Sequence, residues 1–266
     1  MSAIKLDGRR VADRMLEQLK KKVSASRKPI TLAYVLVGNR FDSALYGKLK
    51  RQAAARVGIE TEFYHLPSAT SQKKLEQLIR VLNKRRQVSG ILLQLPLPAQ
   101  LNADSAVGVM DPHKDVDGFH LANTFVVSPP VAAVIKLISL GKPAKNSFVV
   151  IVAKQSIFTK DLALALEKLR YTVAIVETHP KLKEITTKAD ILITALGTGP
   201  QLTAKYIKNG AIVIDVGIRK HGKKAIGDIH VSAWNKAKAI SPVPGGVGPL
   251  VIATALENTY HLAKLN

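Results

Sequence analysis

The chain has 266 residues, 47% of them hydrophobic and 22% charged, with 40 Lys and Arg against 19 Asp and Glu for a formal charge of +21. That balance excludes a disordered or fibrous chain, and the absence of cysteine excludes disulfides and thiolate metal sites. No apolar run reaches the roughly 18 residues needed to span a bilayer, and "MSAIKLDGRR" lacks the apolar core of a signal peptide, so a cytoplasmic protein without a membrane partner is expected.

In chain order, "GRRVADRMLEQLKKKV" has helical spacing, and "ITLAYVLVG" reads as a buried strand. "DSALYGKLKRQAAARVG" is a second helix, with Asp42 or Ser43 as its N-cap and Gly58 as its terminator. "IETEFYHLP" follows as a strand, "SQKKLEQLIRVLNKRR" as a helix opened by Ser71, and "GILLQLPLP" as a strand stopped by prolines. "QLNADSAVGVMDPHKDVDGFHLAN" reads as a loop-rich connection. After the helix "VAAVIKLISLG" the alternation restarts with the strands "SFVVIVA", "TVAIVE", "DILITALG" and "GAIVIDVG". The final "GGVGPLVIATALENTYHLAKL" is a helix entered through glycines.

This alternation predicts an α/β protein of two α/β domains with mostly parallel sheets, the second Rossmann-like, and a cleft between them. The expected domains are 1–125, joined by the C-terminal helix at about 246–266, and 126–245.

The charge would attract nucleic acid, anionic membranes or anionic small molecules, but a solvated basic surface is the favoured account of it. The densest runs, "KKKVSASRK" from Lys20 and "RKHGKK" from Arg219, lie far apart and contain no aromatic residue for base stacking. Nucleic acid is therefore not the expected partner.

Several segments carry possible chemistry. Tyr46 and Lys50 are four apart and share a helix face, where a ring can stack on a flat heterocycle beside an acid–base lysine. A half-buried tyrosine beside an ordinary surface lysine fits the same spacing. "KDVDGFH" gathers Lys114, Asp115, Asp117 and His120 around a turn glycine, as a ligand loop or as a solvated turn; its spacing is poor for a metal, and none is expected. Gln94 stands among apolar residues at a strand end, where an amide needs partners, a ligand being one candidate. "SPVPGGVGP" is a glycine-dense turn whose bare backbone either approaches a ligand or makes a tight connection.

Together, "VLVGNRFDSALYGKLKRQAAARVGI", "GILLQLPLP", "KDVDGFH", "GAIVIDVGI" and "PVPGGVGPLVIATALENT", in this order and nearly end to end, make the chain resemble the bifunctional methylenetetrahydrofolate dehydrogenase/methenyltetrahydrofolate cyclohydrolase family, the FolD type. The resemblance implies oxidation of 5,10-methylenetetrahydrofolate with NADP or NAD, then hydrolysis of the methenyl product to 10-formyltetrahydrofolate, in a homodimer. It implies Lys50 as the catalytic lysine, Gln94 as its assistant and Asp117 as the grip on the pterin. It also implies Tyr46, Pro244, Gly245 and Gly246 as folate contacts, and Lys154, Gln155, Ser156, Glu177 and Ile218 as nucleotide contacts.

One segment departs from the pattern. Where the family reads G-R-S-x-x-V-G-x-P, this chain has "AKQSIFTKD", without glycine, from Ala153 to Asp161. Side chains at Ala153 and Thr159 are expected to crowd a pyrophosphate, and Asp161 to compete with it for the helix N-terminus. Against that, Lys154 and Lys160 offer phosphate contacts and Thr159 a helix cap. Glu177 ends a strand where a carboxylate accepts from a ribose hydroxyl and repels an extra phosphate, favouring NAD over NADP. Arg219, Leu250 and Val251 replace the asparagine, methionine and threonine expected after "DVGI" and "GVGP", and the segment after Asn123 is short. Three readings follow: a bifunctional enzyme with altered nucleotide contacts, a cyclohydrolase alone, or a non-catalytic folate-fold or basic nucleic-acid-binding protein.

Overall fold

The computed structural model describes residues 2–39, 41–222 and 224–265, and the backbone alone for 41–46. The elements run β1 (Ile4–Lys5), α1 (Gly8–Ser24), β2 (Thr31–Val37), α2 (Phe41–Val57), β3 (Glu60–Leu66), α3 (Gln72–Lys84), β4 (Val88–Leu93), α4 (Ala103–Gly108), α5 (Pro129–Leu140), β5 (Phe148–Ala153) and α6 (Ile157–Lys168). They continue as β6 (Thr172–Val176), α7 (Leu182–Thr186), β7 (Ile191–Ala195), β8 (Ile212–Asp215), β9 (Arg219–His221), β10 (Lys224–Ile226), β11 (Ala239–Ile240) and α8 (Val247–Leu265). The chain divides into two compact units.

One unit comprises Ala12–Pro129 and Ile252–Asn266. Its sheet has the order β3-β2-β4, with both pairs parallel. Every residue of β2 is buried, as expected of a central parallel strand covered on both faces. Leu75, Ile79 and Leu82 recur at helical spacing along α3 and pack with Ala33, Val35, Val37, Ile91 and Leu93 in one cluster. Burying each such aliphatic side chain contributes about 2 kcal/mol. Ser71 caps α3 as the sequence predicts, its side chain accepting from the Lys74 N–H. α2 begins at Phe41, before the expected caps Asp42 and Ser43, whose side chains lie outside the described residues. Gly58, at φ +82°, ends it. The connection expected to be loop-rich holds α4, opened by Asn102, whose side chain accepts from the Ser105 N–H.

The other unit comprises Met1–Val11 and Pro130–Val251. Its six-stranded sheet has the order β1-β11-β8-β7-β5-β6, with every pair parallel. β5 lies between β6 and β7, so the strand order reverses there, and in sheets of this kind ligands gather beyond the carboxyl ends of the strands at the reversal. The two-residue strands β1 and β11 and the hairpin β9–β10 lie outside the sequence expectation, being too short to carry a periodicity.

Candidate active site

Lys50 lies on α2 and is only 7% exposed, so it is not an ordinary surface lysine. Burial lowers its affinity for a proton, opposed by the negative charge of Asp117. Its Nζ donates to Gln94 Oε1 at 3.2 Å, and no ion pair to it occurs among the described residues. Gln94 follows β4, held by its own N–H to the Val35 carbonyl, with its side-chain Nε2 donating to the Leu95 carbonyl at 2.7 Å. That second bond fixes which way the amide points: Oε1 faces Lys50 and also accepts from the Tyr34 hydroxyl at 2.7 Å. The amide therefore finds its partners within the protein.

The loop after β4 separates a carboxylate that builds the turn from one that does not. Lys114 donates to the Leu82, Asn83 and Arg85 carbonyls at 3.3, 2.7 and 2.9 Å and so ties the end of α3 to this loop. Asp115, 2% exposed, accepts from the N–H groups of Asp117, Gly118 and His120 and folds the turn around itself. Gly118 takes φ +69°, which a side chain would resist. Asn258 of α8 reaches across to the Val116 and Val127 carbonyls at 2.9 and 3.0 Å. What this scaffold leaves over is Asp117, whose carboxyl is pushed up to about 6 by burial and by Asp115, against the pull of Lys50. Lys50, Gln94 and Asp117 are thus brought together in one unit. Tyr46 lies on α2, and its side chain is outside the described residues.

In the other unit the glycine-free turn departs from expectation. Ala153 is the last residue of β5 and is buried in the sheet. Thr159 is 1% exposed because its side chain turns inward: Ser156 Oγ accepts from the Thr159 N–H at 3.2 Å, and Thr159 Oγ1 accepts from the Ser156 N–H at 2.8 Å. The cap is therefore Ser156, not Thr159, and the two form a capping box. Ala153 and Thr159 are both buried, and Thr159 Oγ1 lies against the backbone of the turn itself, where it takes up the Ser156 N–H. Asp161 is the fifth residue of α6, beyond the open N–H groups of its first turn, and does not compete for them. Lys154, Gln155 and Ser156 are exposed, and Glu177 lies beside them, its Oε1 accepting from the Gln155 N–H at 3.4 Å. An exposed polar turn at the reversal of a parallel sheet, with cations and a carboxylate at its edge, fits a dinucleotide.

Ile218 is exposed just past β8. Pro244, Gly245 and Gly246 form the turn into α8, with Gly245 at φ +108° accepting from the Arg9 N–H. A Cβ on Gly246 would stand 2.7 Å from the Pro242 carbonyl oxygen, so the turn needs glycine for its own packing.

Sequence reasoning missed Asp215 and Asp228. Asp215 accepts from Thr194 Oγ1 and from the N–H groups of Asp228 and Ile229, and Asp228 accepts from the Leu196 and Thr198 N–H groups. The pair pins the backbone beyond β7 and β8. The available signal was an aspartate closing an aliphatic strand, "IVID", where an unpaired carboxylate would be costly.

A buried lysine coupled to an amide and a carboxylate, in a chain that also holds a Rossmann-like unit, defines a nucleotide-dependent α/β enzyme. Residues 6–117 match the family description "Tetrahydrofolate dehydrogenase/cyclohydrolase, catalytic domain", and residues 128–266 match "Tetrahydrofolate dehydrogenase/cyclohydrolase, NAD(P)-binding domain". The chain is 39% identical to the bifunctional protein FolD of Aquifex aeolicus, covering 98% of this chain and 96% of that one. The crystal structure of the bifunctional FolD enzyme of Campylobacter jejuni superposes with a TM-score of 0.93 at 33% identity, covering 99% of each chain. The Trypanosoma brucei dehydrogenase-cyclohydrolase, complexed with NADP cofactor and inhibitor, gives a TM-score of 0.95 at 29% identity over 100% of this chain and 98% of that one. The chain belongs to the tetrahydrofolate dehydrogenase/cyclohydrolase family.

Proposed function

We propose that this methylenetetrahydrofolate dehydrogenase/cyclohydrolase runs both steps, with Lys50 as the acid–base group. In the first, 5,10-methylenetetrahydrofolate gives up a hydride and becomes the 5,10-methenyl cation. In the second, water adds to the methenyl carbon, one proton leaves, and the bond from that carbon to N5 opens to give 10-formyltetrahydrofolate. Lys50 in its neutral form takes the proton from the attacking water, and the Gln94 amide holds the amine in place. A cationic substrate beside Lys50 further favours the neutral amine. Asp117 grips the pterin, and Tyr46, Pro244, Gly245 and Gly246 complete the folate contacts.

Lys154, Gln155, Ser156, Glu177 and Ile218 would hold NAD(P), which would supply the hydride acceptor. The match to the NAD(P)-binding domain and the exposed Lys154, Gln155 and Ser156 beside Glu177 support this assignment. With both family domains matched, nothing favours hydrolysis alone or a nucleic-acid-binding role. A homodimer and a cytoplasmic location are supported by family membership alone; among the described residues no helix is long and apolar enough to cross a membrane.

The observation that carries the reading is the burial of Lys50 against an amide instead of a carboxylate. The expected result is that Lys50→Ala abolishes hydrolysis of 5,10-methenyltetrahydrofolate in a spectrophotometric assay. Undiminished hydrolysis would overturn the site.

A further inference from the structure

Tyr34 sits in the middle of the aliphatic strand β2, fully buried, yet its hydroxyl reaches the same atom that holds Lys50. We propose that Tyr34 is a positioning residue for Lys50: hydroxyl and amine compete for the single oxygen Gln94 Oε1, and that competition holds the amine in the neutral form that takes up a proton. The inference rests on the reading of Lys50 as the acid–base group.

The geometry allows one donor pattern. Gln94 Nε2 is committed to the Leu95 carbonyl, so Oε1 can only accept, and both neighbours must donate to it. The phenol holds the shorter bond, 2.7 Å against 3.2 Å for the amine. An ammonium gains more from a strong acceptor than a neutral amine does. An oxygen already drawn on by a phenol is a weaker acceptor, so the ammonium loses more than the amine.

The ring of Tyr34 acts in the opposite direction. Lys50 Nζ lies 5.6 Å from its centroid, where a π face attracts a cation. Hydroxyl and ring are separable, because a phenylalanine keeps the second and removes the first.

The phenol is also held rigidly. Its ring stacks on Phe63, its register partner on β3, with centroids 5.6 Å apart. On its other side α2 comes down onto it at Gly47, where a Cβ would stand 3.2 Å from the Tyr34 oxygen, one turn before Lys50. Of the charged and titratable groups facing this pair among the described residues, Asp117 favours the ammonium, with Asp115 behind it. Arg51 lies over Phe63 at 4.5 Å, and His65 packs beyond Phe63 at 5.8 Å. None of these touches Gln94 Oε1, so the hydroxyl is the group whose removal changes that oxygen.

The test is the pH profile of methenyl hydrolysis for the wild type, Tyr34→Phe and Lys50→Ala. Tyr34→Phe is expected to keep KM within about twofold and to move the acid limb of kcat upward by roughly half to one pH unit, the effect of one hydrogen bond. An unmoved limb, or one moved to lower pH, overturns the proposal while leaving Lys50 in place if Lys50→Ala is inactive. Full activity of Lys50→Ala would instead overturn the reading of Lys50. Should Tyr34→Phe fail to fold, protein carrying 3-fluorotyrosine at position 34 alone replaces it. Fluorine makes the phenol a stronger donor at nearly unchanged size, and the limb should move to lower pH; no movement refutes the competition.

Discussion

Asp117→Asn should stabilise the protein and weaken it as an enzyme. The carboxyl is raised from its ordinary value of 3.8 to about 6, chiefly by burial. At 1.36 kcal/mol per tenfold change in proton affinity, that difference amounts to about 3 kcal/mol. The sign follows from linkage: a carboxyl with a higher pKa folded than unfolded favours the folded state at low pH, and that contribution is lost as pH rises from near 4 through 6. Above that window the wild type carries the full cost of a buried anion, and the neutral amide carries none of it. The variant should therefore gain about 2 to 3 kcal/mol more at pH 7.5 than at pH 4, after allowance for the partial exposure of the site. With a slope of about 1–3 kcal/mol per molar urea, the unfolding midpoint followed by circular dichroism should move by roughly 1–2 M between the two pH values. Hydrolysis should fall by about 10- to 100-fold in kcat/KM, the worth of a charge-assisted hydrogen bond to the pterin. Equal stability differences at both pH values would refute burial as the source of the raised proton affinity.

Two other consequences are open to direct measurement. Gly227→Ala places a Cβ 2.0 Å from Asp215 Oδ2 and should cost more than about 3 kcal/mol, whereas Gly108→Ala, with nothing within 4 Å, should be neutral or stabilising by up to about 1 kcal/mol in the same urea assay. If Glu177 faces the ribose as proposed, Glu177→Gln removes a charge that repels a ribose phosphate, and the ratio of kcat/KM for NADP to that for NAD should rise roughly three- to tenfold; an unchanged ratio would show that Glu177 does not face the ribose.

Much of this architecture was legible because long helices leave periodic patterns and buried strands leave continuous aliphatic runs. Ser71 could be read as a cap because a short polar side chain directly precedes an amphipathic run. α4 was not read, although Asn102 before it is the same kind of signal, because six residues are too few for a period to show against loop composition. Lys50, Gln94 and Asp117 were recognised as motifs, but their coupling depends on the register of β2 with β4, which no local window contains. Tyr34 was hidden by its company: within "TLAYVLV" it reads as core, and only the rule that a buried phenol needs a partner distinguishes it. In the glycine-free turn the cap was read as Thr159 and is Ser156, because residue identity does not reveal that the two side chains cap each other.

The ties of both units to late parts of the chain bear on when the enzyme can exist during its synthesis. β1 at Ile4–Lys5 waits for β11 at Ala239–Ile240, and the backbone beside Asp117 is held by Asn258, 142 residues after Val116. A nascent chain that has already made Lys50, Gln94 and Asp117 still lacks the strut that holds their loop. Domains usually fold as they leave the ribosome, but neither of these units is contiguous in sequence. Activity therefore waits until synthesis has passed Asn258, and a chain cut short before it would leave the Asp117 loop without that support.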